Sequence, residues 1–450
     1  MEQREFIVGI DLGTFKIAAA AGFKDSVGFT VLAVEQEPSG GCMRRGCVYN
    51  VEEAAAKVKR VIAKLENKLS PNKIAKVYVG IGGQSLRSVD HRVSFELGGE
   101  NTVTDTIIRS LYEEAKQHRL ELVELLDAVH PRYEIDGKAE QNPIGVLASE
   151  VAAEYKMIVA RPSLKHNIFK VVTEKAGYQI AGCFISPLAL AEFTLTKAEM
   201  DLGCALINFG AGTTTLSIYK GGSLRHLVVI PFGGQSITKD VAHLNIVEAE
   251  AEQMKIRYGR IGAVSEQPDQ PVGLGNGGQE VKLSELNTII EAREAEIVEN
   301  VINQIHLSGF YRNLGAGIVL AGGAALMRGL AADLGAKAGC EVRMADSRRV
   351  QSAGSYSEAH DQAYLQALSI MSLGTENCAA EIVRERPTTL FPDEPLPPSG
   401  TTKKRKEKPE KKAGGGLFSG LTSGIKKGIE TAAKGLFDND EVDDVDENSK

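Results

Sequence analysis

The chain has 450 residues, 43% hydrophobic and 25% charged, which allows two or more domains with full cores and excludes a largely disordered chain. Its net charge is −7, from 52 Lys and Arg against 59 Asp and Glu, so the main body has no electrostatic reason to bind nucleic acid. Six scattered cysteines include one close pair, Cys42 and Cys47; without a second pair or a His at metal spacing, buried or incidental thiols are expected.

No apolar leader opens the chain and no apolar run approaches about eighteen residues, so a cytoplasmic body is expected. Strand and helix signals then alternate. Phe6–Leu12, Lys16–Gly22 and Thr30–Glu35 are predicted strands. Val51–Leu69 is a predicted helix with Val58, Val61, Ile62 and Leu65 on one face, ended by Ser70-Pro71. Lys76–Ile81 is strand again. Gly203–Phe209, Thr214–Tyr219 and Leu224–Ile230 form three more, with Gly221-Gly222 as a hairpin turn. Glu266–Gln279 is predicted as an exposed loop, Ile289–Leu307 as a long helix, and Gly317–Leu320 as a strand before paired glycines. Alternating strands and helices predict an α/β architecture.

Three glycine-rich turns carry the chemistry. In Gly9-Ile10-Asp11-Leu12-Gly13-Thr14-Phe15-Lys16 an apolar strand delivers Asp11 to a turn where Gly13 lets backbone N–H groups approach an anion. Asp11 can hold a hydrated Mg²⁺, and Thr14 and Lys16 can reach phosphate; a hairpin with a polar tip is the plain alternative. The design recurs two hundred residues later, where Asn208 precedes Gly210-Ala211-Gly212 and Thr213-Thr214-Thr215. Two such hairpins predict two related halves gripping one polyphosphate. In the third turn a strand runs into Gly322-Gly323-Ala324, and a helix is predicted to begin there. A base and ribose can lie against that bare backbone, near Met327.

The last residues differ in kind. From Arg386 the chain turns Pro-rich and then basic, with seven Lys or Arg against two Glu over 401–412, a composition that predicts a flexible linker. Beyond it Leu417, Phe418, Leu421, Ile425, Ile429, Leu436 and Phe437 recur at steps of three or four, with Lys426, Lys427 and Lys434 among the polar residues. That pattern predicts an amphipathic helix lying on an anionic membrane surface. A C-terminal helix docked on the body is the competing account. The acidic end, 438–450, has no assigned role.

With these turns on hand, the chain resembles the actin-like ATPase superfamily and, within it, the FtsA family of bacterial cell-division proteins. Val77–Ser88 resembles the family's exit into an inserted subdomain. Tyr133-Glu134-Ile135-Asp136-Gly137 and Asn142-Pro143-Ile144-Gly145 resemble a stretch inside that insert. Glu248–Gly259 and Ile289–Ile297 are similar to two consecutive family helices. The resemblance implies an actin-like (ASKHA) fold with two related lobes around a nucleotide cleft, an inserted small subdomain, and a disordered linker ending in an amphipathic helix. It implies subdomain 1A at 1–84, 164–202 and 349–385, insert 1C at 85–163, 2A at 203–240 and 309–348, and 2B at 241–308. A linker at 386–412, a membrane helix at 413–437 and the acidic tail follow.

It further implies ATP with Mg²⁺, self-assembly into actin-like filaments, and peripheral attachment to the cytoplasmic membrane face at the division site. The partners implied are the C-terminal peptide of FtsZ, docking near Arg293, and other division proteins at the insert. Glu252 and Lys255 match positions flanking adenine and ribose; a surface i,i+3 ion pair is the competing account, as a solvated Arg is for Arg293. Two departures concern hydrolysis. Asn208 and Ser186 stand where superfamily ATPases often carry acids, so ATP binding with slow or absent hydrolysis is expected. Two alternatives stay open: a small-molecule kinase of the same superfamily, for which no base motif is found, and an adaptor of another membrane machine such as a pilus platform.

Overall fold

A computed structural model of the chain describes residues 5–24, 28–262, 269–274, 280–347, 350–352 and 362–380. The linker, the amphipathic segment and the acidic tail expected over 386–450 lie outside the described residues.

The chain opens with a three-stranded antiparallel meander, β1 (Ile7–Leu12), β2 (Lys16–Lys24) and β3 (Phe29–Pro38). Helix α1 (Val51–Lys68) starts where the Asn50 side chain accepts from the Glu53 N–H, and it buries the face anchored by Val58, Ile62 and Leu65. It returns the chain to β4 (Lys76–Ile81), parallel to β1. An excursion follows: β5 (Arg87–Thr102), α2 (Asp105–Gln117), β6 (Glu124–Ile135), β7 (Lys138–Glu140) and β8 (Leu147–Ala160). Asp136 and Gly137, both at positive φ, make the tight β6–β7 turn. Helix α3 (Pro162–Phe169), β9 (Gln179–Ile185), α4 (Ser186–Thr194) and α5 (Lys197–Leu202) lead out of this half.

The second half repeats the plan with β10 (Cys204–Phe209), β11 (Thr214–Lys220) and β12 (Ser223–Ile230). Helices α6 (Gly234–Ala242), α7 (Glu248–Tyr258) and α8 (Leu283–Leu307) follow, then β13 (Ile318–Ala321), α9 (Leu330–Ala338) and β14 (Val342–Met344). Finally β15 (Val350–Ser352) and α10 (Leu365–Leu373) rejoin the first half. Helix α10 lies so close to β1 that a methyl group on Gly9 would come within 2.5 Å of the Met371 nitrogen.

The first sheet has the order β9-β4-β1-β2-β3-β15, and the second contains β14-β13-β10-β11-β12 followed by β5-β8-β6-β7. Each half is thus a meander whose first strand also pairs in parallel with a later strand, which in turn pairs in parallel with the next, β1 with β4 and then β9, β10 with β13 and then β14. The two halves expected from the repeated hairpins are present, each with its own apolar core. The excursion has a third core and joins the second sheet through β12 and β5, where Val228 pairs with Arg87.

The elements depart from expectation in three places. Helix α8 starts six residues early because Leu283 and Leu286 extend the buried stripe of Ile290, Ile297 and Val301. Of the expected loop 266–279, the described part is not wholly exposed: Pro271–Val272 pairs with Val281–Lys282, and Val272 is buried. The third glycine turn opens a single 3-10 turn, Gly323–Leu326, rather than a helix; left-handed Gly329 intervenes before α9. Cys42, Cys204 and Cys378 are buried, and burial pushes the Cys204 thiol up to about 12 and that of Cys378 to about 11. Among the described residues no helix is long and apolar enough to cross a membrane.

Candidate functional site: a cleft of three glycine turns

The two hairpin turns are built alike. Asp11 pairs with Ala18 across β1 and β2, and Asn208 pairs with Thr215 across β10 and β11, each one residue from the end of its strand. The first turn is braced from outside: the Ser39 hydroxyl donates to the Gly13 carbonyl at 2.7 Å, and the Gly46 N–H donates to Thr14 Oγ1 at 2.9 Å. Burial pushes the Asp11 carboxyl up to about 6, with the nearby Lys16 charge acting the other way. Lys16 itself lies 5.3 Å from the centre of the Tyr364 ring.

The second turn closes on itself, Gly210 N–H to the Thr213 carbonyl at 2.9 Å, and receives the start of α6. There Gly234 N–H donates to the Gly210 carbonyl and Gln235 N–H to the Ala211 carbonyl. Its tip meets the first turn: a methyl group on Gly212 would come within 2.6 Å of Thr14 Oγ1. Only a glycine fits between the two halves here. Thr214, expected at the nucleotide, is fully buried, and its hydroxyl donates to the Phe232 carbonyl at 2.9 Å. That threonine holds the turn from beneath and does not line the cleft.

The third turn abuts both. Gly322 sits at φ +96°, and a methyl group there would fall 2.5 Å from Asn208 Oδ1 and from the Phe209 carbonyl oxygen. Ala324 faces Gly234 at the start of α6; a methyl group on Gly234 would lie 2.9 Å from its Cβ. On the same side stands the Glu252–Lys255 pair of α7, with Nζ 2.6 Å from Glu252 Oε2. It is not a surface pair. Lys255 is 6% exposed, and its ammonium also donates to Thr238 Oγ1 at 2.8 Å and the Gly234 carbonyl at 3.0 Å. Burial lowers its pKa, opposed by Glu252. Met327 closes the turn through its N–H to the Ala324 carbonyl.

The positions lacking acids are joined by a residue the sequence did not flag. Gln366 of α10 accepts from Asn208 Nδ2 at 3.4 Å, while its Nε2 donates to the Ser186 carbonyl and to Ser369 Oγ, both at 3.0 Å. Ser186 is buried, its hydroxyl packed toward Gly80. A neutral amide therefore bridges β10, α4 and α10 where two carboxylates were looked for. Arg293 of α8 is engaged rather than freely solvated: it donates through Nε to Asp240 of α6 and through Nη1 to Glu296. It lines the mouth of the cleft, a cavity of about 860 Å³ that also reaches Thr14 and Gly212.

With this geometry in view, the chain can be compared with known proteins. The family described as "Cell division protein FtsA" matches residues 205–369, and "SHS2 domain inserted in FTSA" matches residues 83–159, the excursion from β5 to β8. Cell division protein FtsA of Porphyromonas gingivalis is 35% identical over 70% of this chain and 67% of its own length. Its namesake from Neisseria meningitidis is 31% identical over 73% and 81%, and that of Escherichia coli K12 is 28% identical over 83% and 91%. Among solved structures, one of a PilM–PilN type IV pilus biogenesis complex superposes with a TM-score of 0.56 at 15% identity, covering 81% of this chain and 97% of that one. At that identity the likeness concerns architecture alone, and the architecture is the actin-like one.

Proposed function

The chain belongs to the FtsA family of cell-division proteins, and from that premise we propose that it binds ATP with Mg²⁺, assembles into actin-like filaments, and tethers the FtsZ ring to the cytoplasmic face of the membrane. The observation that carries the nucleotide part is convergence. Two equivalent hairpin tips meet at Thr14 and Gly212, and the Gly322–Ala324 turn and the Glu252–Lys255 pair stand against the same helix start.

These residues suit a nucleotide. Gly13 and Gly212 leave backbone N–H groups accessible to phosphate oxygens, with Thr14 and Thr213 beside them, while the Gly210 N–H shapes its turn by donating to the Thr213 carbonyl. Asp11 is the half-buried carboxylate positioned to hold a hydrated Mg²⁺, which would offset phosphate charge. Gly323, Ala324 and Met327 offer a flat surface to the base, and Glu252 can accept from ribose hydroxyls. Lys255 fixes Glu252 while bracing α7 against α6. The chain's own groups give little help to hydrolysis. Asn208, Gln366 and the Ser186 backbone can orient a water, but none of them can take its proton.

Arg293, with Asp240 and Glu296 around it, supports docking of the FtsZ C-terminal peptide on α8, and the β5–β8 insert supports contacts with other division proteins. The tail supports membrane attachment: each apolar side chain contributes part of about 1.5–3 kcal/mol, each nearby Lys about 1 kcal/mol. One such tail binds reversibly, and a filament of many gains avidity. Equilibrium binding of ATP with Mg²⁺ beside steady-state phosphate release tests the site. Saturable binding with slow release is expected; no binding, or brisk turnover, contradicts the reading.

A further inference from the structure

Between β3 and α1 the chain makes a small hairpin, Met43–Arg44 paired with Cys47–Val48, whose two-residue turn is Arg45-Gly46. Both turn residues have positive φ, 50° and 72°, as the central pair of a type I′ turn requires. Such turns favour Asn, Asp or Gly at the first position; an Arg there is held in a conformation that its Cβ disfavours. The turn is pinned on both sides. Gly46 N–H donates to Thr14 Oγ1 at 2.9 Å, the Arg45 carbonyl accepts from Gln84 N–H at 3.0 Å, and a methyl group on Gly46 would strike Gly83 at 2.8 Å. A strained arginine is thus bolted to the first phosphate turn.

Its side chain lines the same 860 Å³ cavity as Thr14 and Gly212. Arg44 also lines it, its guanidinium 3.4 Å from the centre of the Tyr49 ring, and Lys239 of α6 faces them from the second half. Arg293, the other cation there, is neutralised by Asp240 and Glu296. Arg44, Arg45 and Lys239 form no ion pair with a carboxylate among the described residues. Three cations outside any ion pair therefore stand along the outer side of the two tips, where phosphates laid across the tips would end; of the carboxylates lining the same cavity, Asp240 is held by Arg293 and Glu248 accepts from Gln235.

We propose that Arg45, with Arg44 and Lys239, forms a cationic site for the terminal phosphate of a nucleoside triphosphate, so that the protein distinguishes tri- from diphosphate. This rests on the nucleotide reading above and deepens it. The strained αL backbone, tied to Gln84 through the Arg45 carbonyl, directs the side chain along the cleft wall, where Nη1 donates to Gln84 Oε1 at 3.5 Å before the ligand arrives.

The test is isothermal titration of the full chain with ATP and with ADP, both with Mg²⁺, for the wild type, Arg45→Ala, Arg45→Lys and Arg45→Gly. Arg45→Ala and Arg45→Gly should each weaken ATP by about tenfold, the loss of one charge-assisted contact, and leave ADP nearly unchanged. Arg45→Lys should keep most of the preference. Arg45→Gly relieves the turn, so its thermal midpoint should match or exceed the wild type's, which separates lost discrimination from misfolding. Equal losses for both nucleotides, no loss for either, or a wild type that binds both equally would overturn the Arg45 site and leave the cleft reading standing. A wild type that binds neither would overturn the cleft reading itself, and the Arg45 site with it.

Discussion

Glu294 offers a perturbation whose sign and size follow from its surroundings. It lies on α8, 1% exposed, facing Asp333 of α9, and its Oε1 has no hydrogen-bond partner among the described residues. Burial first, and then the Asp333 charge, push its carboxyl up to about 7; Lys337, 2.6 Å from Asp333 Oδ2, acts the other way, and Glu291 on the same helix adds to the rise. In the unfolded chain the group titrates near 4.5. Folding therefore takes up a proton between those two values. The group costs nothing below pH 4.5, and stability falls as pH rises from 4.5 to about 7 and levels off beyond it. The whole gap corresponds to about 3 kcal/mol, present in full above pH 7. Glu294→Gln removes the ionisation, keeps the shape, and gives Asp333 an amide donor. Urea unfolding followed by far-UV circular dichroism suits a chain without Trp. The variant should nearly match the wild type at about pH 5 and exceed it by up to about 3 kcal/mol at about pH 8. A variant no more stable than the wild type at the higher pH would mean that the carboxylate has a stabilising partner, and the reasoning would fail.

Other substitutions probe the cleft. Gly322→Ala places a methyl group 2.5 Å from Asn208 Oδ1 at a backbone angle of +96°, so it should lower stability by about 2 kcal/mol or more and weaken ATP binding, measured by thermal shift with and without nucleotide. Lys255→Met leaves Glu252 and Thr238 without their shared cation; a stability loss of about 2 kcal/mol is expected, with a smaller thermal shift on adding ATP. Asn208→Asp supplies an acid where the Gln366 carboxamide now presents its oxygen, at 3.4 Å. Phosphate release should rise while the bonds from Gln366 to Ser186 and Ser369 weaken, and an unchanged rate would show that the missing acid does not limit turnover.

How far the site could be seen in advance depended on whether its residues are local in sequence. The hairpins at Asp11 and Asn208 were legible because a buried apolar run, a short polar residue and a glycine turn lie within ten positions, and the strand pairing follows from that pattern. Glu252 and Lys255 were legible as a pair, but their burial was not. It arises from Thr238 and Gly234 on another helix, and no periodicity in α7 announces them. Gln366 was invisible for the same reason. It lies 158 positions from Asn208, inside an apolar helix, and only the return of α10 to the first half brings the two together. Thr214 was misplaced because alternation along β11 decides which of three consecutive threonines faces inward. The Arg45-Gly46 turn left only a faint signal, a Gly-containing dipeptide between Met43-Arg44 and Cys47-Val48, and its bond to Thr14 needed coordinates.

The central claim is that a nucleotide-organised body is held to a membrane by its last residues. Co-sedimentation with anionic liposomes, comparing the full chain with a 1–412 truncation, with and without ATP and Mg²⁺, tests it most directly. The account requires pelleting that depends on the tail, strengthens with ATP through filament avidity, and weakens in high salt. A truncation that pellets as well as the full chain, or a full chain that stays in solution under every condition, would contradict it.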